Sequence, residues 1–264
     1  MRRVLSVISE ANEHETAPVL IAKINQLHQE YFGLSYSFES LKKQYNMMML
    51  QEEEYIWNKI LTSEDRLLEA LKYARAGNYI DFGAMGSIDD EKLYDLLASV
   101  HQEKIEVSKY QEFIQDLQSA RELVYLTDNC GEVVLDKLFI KCIINQFPNI
   151  HITVIVRGEM VLNDATMEDA RMVGLMEISD VIGNGTEIAG TCLEQINHTA
   201  KECIEAADMI ISKGQGNFET LNGCGLNIYY LFLCKCEWFV KRFKMERFKG
   251  VFINERDMSM EGKG

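Results

Sequence analysis

Two short stretches of this chain carry oxygen chemistry. Leu123-Val-Tyr-Leu-Thr-Asp-Asn-Cys-Gly-Glu132 ends an apolar run in an acid, an amide and a glycine, and Asn163-Asp164-Ala-Thr166 follows the next apolar run. Asp128, Asn129 and Asp164 offer only oxygen donors. Hard divalent cations such as Mg²⁺ prefer that set and keep waters that a substrate phosphate can replace. No histidine lies in these clusters, which argues against a zinc hydrolase. A third stretch, Ser212-Lys213-Gly214-Gln215-Gly216-Asn217, has the composition of an anion cradle. Gly214 and Gly216 let the backbone approach a ligand, Lys213 adds a point charge, and the next segment can open a helix whose amides face a phosphate. The Gly-Lys-Ser/Thr ending of a Walker A loop is missing. Arg157-Gly158 is a candidate to hold the same anion. One Asp-Asn pair is more often a turn or helix cap, and one Gly-x-Gly a tight turn. Three such clusters after three apolar runs favour a site.

Only a parallel sheet brings these loops to one edge. Leu123–Leu126 and the β-branched run Ile150–Val156 read as strands. The stripe Leu135, Leu138, Phe139, Cys142 and Ile143 between them reads as a helix broken at Pro148-Asn149. Together they predict a βαβ unit with a right-handed crossover. Val181-Ile182, Met209–Ile211 and Ile228–Leu233 predict further strands, with Cys192–Ala206 helical and Gly250–Ile253 a last short strand. The pattern predicts a Rossmann-like α/β fold: a mostly parallel, doubly wound sheet with helices on both faces.

Residues 1–115 have a different rhythm. Leu20, Ile24, Leu27 and Tyr31 recur at helical spacing, with Gly33 as a stop. A second helix is expected after Ser37, through Leu41, Tyr45 and Met48. Ser63 is placed to cap a third, which carries Leu67, Leu68, Leu71 and Ala74 on one face and has Gly77 beyond its end. The chain therefore divides into a helical region, 1–115, and an α/β metal-binding domain, 116–264.

The 264 residues carry a formal net charge of −14, with 47% hydrophobic and 26% charged residues. Such a chain has no electrostatic footprint for a nucleic-acid backbone. Its one basic stretch, Lys241–Lys249, is interrupted by apolar residues and reads as a helix with a solvated face. The seven cysteines form no C-x-x-C pair, which argues against a disulfide framework or zinc site and for buried reduced thiols. No signal sequence and no apolar run of about 18 residues is seen. The expectation is a soluble cytoplasmic protein without nucleic-acid or membrane partners; no pattern specifies an oligomeric state.

Thr-Asp-Asn-x-Gly-Glu, Arg-Gly followed by Asn-Asp-Ala-Thr, and Ser-Lys-Gly-Gln-Gly-Asn-Phe-Glu, in this order, resemble the damage-control phosphatase family, once labelled domain of unknown function 89. They are most similar to its compact prokaryotic branch, as is Gly77-Asn78-Tyr-Ile-Asp81-Phe-Gly83. The resemblance implies a helical region packed on a Rossmann-like domain, and metal-dependent phosphatase activity on small phosphometabolites, with Mg²⁺, Mn²⁺, Co²⁺ or Ni²⁺. It implies Asp128, Asn129 and Asp164 as metal ligands, Lys213 on the substrate phosphate with Asn217 nearby, and Asn78 and Asp81 bordering the pocket. It also implies an early C-x-x-C segment, which this sequence lacks, so no role is carried over for one. Either a water oriented by Asp128 or Asp164, or Asp128 itself, can attack phosphorus. A metal-dependent binding protein without turnover would use the same residues. A methyltransferase is the third reading, although no G-x-G-x-x-G loop follows a strand.

Overall fold

The run after Glu122 is buried residue by residue, as in a strand with helices on both its faces. A computed structural model, which describes residues 1–12, 15–33, 38–81 and 90–261, places it at the centre of six strands. These are β1 (Glu122–Leu126), β2 (His151–Val156), β3 (Asp180–Gly183), β4 (Met209–Lys213), β5 (Ile228–Leu233) and β6 (Gly250–Asn254). Their order is β3-β2-β1-β4-β5-β6. The first five pair in parallel, with Leu123 opposite both Ile152 and Met209, while β6 runs antiparallel to β5. The strand order reverses between β1 and β4. In open α/β sheets, that reversal creates a crevice beyond the carboxyl ends of the strands.

Side-chain alternation gives the sheet two covered faces. Leu123, Tyr125, Met209 and Ile211 share a cluster with α3 (Glu39–Thr62), α4 (Arg66–Gly77), α6 (Val107–Ser119) and α7 (Glu132–Gln146). Val124, Leu126, Ile210 and Tyr230 pack with α9 (His198–Ala206), α10 (Gln215–Leu221) and α11 (Glu237–Phe243). The N-terminal helices thus share one apolar core with the sheet, and α4 lies along α7. The remaining helices are α1 (Arg2–Glu10), α2 (Ala17–Phe32), α5 (Asp90–Ala98), α8 (Met167–Met172) and α12 (Glu255–Glu261). No helix of the described residues is long and apolar enough to cross a membrane.

Several local expectations need correction. Asp65, not Ser63, caps α4: its carboxylate accepts the Leu68 amide at 2.9 Å, while Ser63 closes α3 and Gly77 is the last residue of α4. Of the expected helix Cys192–Ala206 only His198–Ala206 is helical, because the Asn197 side chain caps it at Ala200. The basic stretch leaves the helix at Lys244, whose φ is 50°. Gly33 does end α2, at φ 61°. The face that α2 buries is Pro18, Val19 and Ala22 rather than the predicted stripe, and Tyr31 is 60% exposed. Cys130, Cys142 and Cys234 are buried, whereas Cys236 is exposed. Ser37 and Gly83 lie outside the described residues.

Candidate active site

Beyond β1 the chain stays extended and gains a partner. The loop after β2 folds back along it: Cys130 N donates to Asn163 O at 2.8 Å and Ala165 N to Asp128 O at 2.7 Å, which makes Asn129 and Asp164 a bridged pair. Leu162 takes φ 46° just before this return, an uncommon conformation for a branched side chain. Residues far apart in sequence are thereby set side by side at the sheet edge. Asp128, Asn129 and Asp164 line one cavity of about 260 Å³ with Asp81, Gln215 and Gly216, and α2 supplies part of the opposite wall through Pro18, Ile21 and Asn25.

Asp128 is held from several sides. Its Oδ2 accepts Asn78 Nδ2 at 2.9 Å and Asn129 Nδ2 at 2.6 Å. Gly214, at φ 81°, passes so close that a Cβ there would lie 2.1 Å from this carboxylate, which is why the position needs glycine. Asp164 Oδ2 accepts Arg157 Nε at 2.6 Å, and Arg157 Nη2 lies 3.9 Å from Asp128 Oδ1. Burial, then Asp164 and Glu132, push Asp128 well above the ordinary carboxylate range. Burial also raises Asp164, with Arg157 pulling against it. Asn129 Oδ1 accepts Asn163 Nδ2 at 2.8 Å.

Lys213, expected on the substrate phosphate, sits elsewhere. It is the last residue of β4 and shares the parity of Met209 and Ile211, so it points onto the α4–α7 face. Its ammonium is fully buried and donates to Ala74 O at 2.8 Å, Glu132 Oε1 at 2.6 Å and Asp136 Oδ1 at 2.5 Å. Burial works to lower its pKa, but Asp136 and Glu132 overcome that and hold it above the ordinary lysine value. Asn217 is likewise behind the wall: Nδ2 donates to Thr127 O and Lys213 O, and Oδ1 accepts from Thr191. Asn78 lies behind Asp128 and also accepts the Leu233 amide. Gly158 abuts Gly185, where a Cβ would lie 2.3 Å from that backbone, and its amide donates to Asn184. The structure thus gathers Asp81, Asp128, Asn129, Asp164 and Gly216 on the cavity wall. Lys213, Gly214, Asn217, Asn78 and Gly158 support it without lining it.

Some participants carried no assigned role in the sequence reading. Glu132 is fully buried and accepts Lys213, Asn78 and the Asn129 side chain. Its signal was available, because Glu132 and Asp136 form an i, i+4 acid pair in an otherwise apolar helix. Lys235 pairs with Asp81 at 2.7 Å. Gln215 Nε2 and Arg157 Nη2 are buried donors without a hydrogen-bond partner among the described residues.

Among the described residues, no group of three His, Cys, Asp or Glu side chains is arranged to hold a metal ion. The candidate set is instead two carboxylates and an amide, which suits a hard cation. The wider charge balance fits as well. The carboxylates of Asp81, Asp128, Glu132, Asp136 and Asp164 are ion-paired with Arg157, Lys213 and Lys235. Acids outnumber bases in these pairs, and a divalent ion beside Asp128 and Asp164 would favour their ionised forms against burial.

The comparisons with known proteins agree with this architecture. The crystal structure of a DUF89 family protein from Pyrococcus horikoshii superposes with a TM-score of 0.82 at 26% identity, covering 96% of this chain and 88% of that one. A damage-control phosphatase of Pyrococcus horikoshii is 32% identical over 189 residues, 71% of this chain; the match spans 64% of that relative's length. A damage-control phosphatase of Archaeoglobus fulgidus is 30% identical over 233 residues, 86% of this chain and 80% of its own. The family model described as the damage-control phosphatase ARMT1-like domain matches residues 1–250. This chain belongs to that family.

Proposed function

We propose that the chain is a metal-dependent phosphatase that hydrolyses phosphate monoesters of small metabolites in the cavity over Asp128. The observation that carries this reading is the pairing of Asp128 with Asp164 on one wall of that cavity, beside the unpartnered Gln215 amide. Acids that hold a cation and a donor that meets a phosphoryl oxygen are the parts that phosphoryl transfer needs.

Asp128, Asn129 and Asp164 would hold the ion, and Mg²⁺, Mn²⁺, Co²⁺ or Ni²⁺ all suit such a set. A bound divalent ion supplies Lewis-acid neutralisation of phosphoryl charge. Gln215 Nε2 donates to a phosphate oxygen. Arg157 keeps Asp164 oriented from behind, and Gly214 leaves room for the Asp128 carboxylate. A water oriented by Asp128 or Asp164 is the attacking group. Rapid-quench trapping of a phosphorylated enzyme that disappears in Asp128→Asn would replace this with covalent attack by Asp128.

The test is a phosphate-release screen over sugar and nucleotide phosphates, run after chelation and with each of the four metals added back. Release restored by metal in the wild type and absent in Asp128→Ala is expected. Equal release by both proteins would sink the site assignment. Ester binding without release under any metal would make the chain a binding protein.

A further inference from the structure

A second cavity, of about 620 Å³, opens between α3, α4 and α5 and shares no residue with the one over Asp128. Its volume is that of a small-molecule site. Ile56 and Leu97, 2% and 6% exposed, give it an apolar base. Tyr55 and Tyr94, both exposed, present phenol rings to it. Tyr73 contributes a third and is itself buried, only 5% exposed. Burial, then Glu69 and Tyr55, lift the Tyr73 hydroxyl to about 12, so it stays protonated. No hydrogen-bond partner meets that hydroxyl among the described residues, and it opens to the cavity.

The acids in this cavity are not equivalent. Glu69 is ion-paired with Lys72 at 3.4 Å. Glu52 lines the cavity close enough to Tyr94 to raise its pKa, after burial, and has no cation partner among the described residues. Lys59 already lies over the Tyr55 ring, 5.3 Å from its centroid, so this wall accepts cations on its aromatic faces. A carboxylate without an ion-pair partner, exposed phenol rings and a phenol hydroxyl without a hydrogen-bond partner together suit positive charge on an apolar body, and the Lys59 ammonium, which also lines the cavity, is kept over the Tyr55 ring.

We propose that this cavity is a binding site for a small organic cation, an ammonium group on an aromatic or alkyl frame, held by Glu52 and Tyr73 with Tyr94 against its apolar part. The site stands apart from the proposed chemistry, although α4 borders both regions: Tyr73 faces this cavity, and the neighbouring Ala74 carbonyl accepts Lys213.

Calorimetric titration of the full chain with phenethylammonium tests this, with 2-phenylethanol as the neutral counterpart. Saturable binding of the amine and none of the alcohol is expected. Glu52→Gln should weaken the amine about fivefold, since it removes the charge but keeps the shape. Glu52 is only half-buried, so this variant does not threaten folding. Tyr73→Phe and Tyr94→Ala should each weaken it severalfold, and Asp128→Asn should leave it unchanged. Absence of saturable binding, equal binding of the alcohol, or an unaltered affinity in Glu52→Gln would overturn the proposal. Loss in Asp128→Asn would also overturn it, because the amine would then be sitting at the other cavity.

Discussion

The two ends of the sheet repeat one motif in opposite surroundings. At the carboxyl end, Lys213 bridges Glu132 and Asp136, all three side chains with 0% exposure. At the amino end, His151 bridges Glu122 and Asp180 at 2.8 and 2.9 Å, with side chains 53%, 54% and 73% exposed. The first residues of β1, β2 and β3 form this exposed group, which water screens. The buried group has no such screening, so each charge there depends on its partners. That dependence holds Glu132 rigid, and through Asn78 and Asn129 it holds Asp128. Preorganisation of this kind is what electrostatic catalysis draws on, and it exists only at the end where the strand order reverses.

The sharpest break in this contrast is Lys213→Met, which leaves Glu132 and Asp136 buried without their cation. A loss of about 3–5 kcal/mol is expected in chemical denaturation. A loss under about 1 kcal/mol would mean that the buried bridge behaves like a surface one. Next comes Gly214→Ala. Its methyl group meets the Asp128 carboxylate and its φ is unfavourable, so about 1–3 kcal/mol of stability should go together with phosphate release. Retained turnover would show that Asp128 has freedom that its contacts deny.

Ile21→Trp probes the wall across the cavity. Ile21 is 50% exposed on α2, so stability should change by no more than about 0.5 kcal/mol. KM should rise for bulky esters more than for small ones, and kcat should hold for the small ones. A uniform fall in kcat would count against Ile21 bordering the bound ester. The smallest effect belongs to His151→Gln. Glu122 and Asp180 raise the imidazole pKa against a minor burial effect. A raised folded-state value stabilises the protein below the unfolded pKa, near 6.5, and that stability fades as pH climbs through the raised value. Wild type should exceed the variant by a few tenths of a kcal/mol at pH 5.5, and the gap should close in alkaline buffer. A gap that widens with pH would reverse the assignment.

Strands were the most legible part of the fold. Ile228–Leu233 could be read directly because a strand covered on both faces has to be continuously apolar. Helix ends were less legible: Ser63 and Asp65 are both good capping types, and only the path of the chain between α3 and α4 selects Asp65. In the candidate site, Asp128, Asn129 and Asp164 could be gathered from the sheet topology alone. Lys213 could not. Its parity points it onto one face of the sheet, but that Glu132 and Asp136 wait there depends on how α7 packs. Arg157 read as a candidate to hold the anion; it is 1% exposed and bound to Asp164 instead, because the loop after β2 doubles back and encloses it.

In the proposed function, Asp128, Asn129 and Asp164 hold the metal that phosphate-ester hydrolysis needs. A Mn²⁺ titration followed by electron paramagnetic resonance, on wild type and on the Asp128→Asn, Asp164→Asn double variant, tests it most directly. Stoichiometric Mn²⁺ binding in the wild type is predicted, lost together with phosphate release in the variant while the fold melts cooperatively in both. Undiminished Mn²⁺ binding in the double variant, or phosphate release that survives it, would contradict the account.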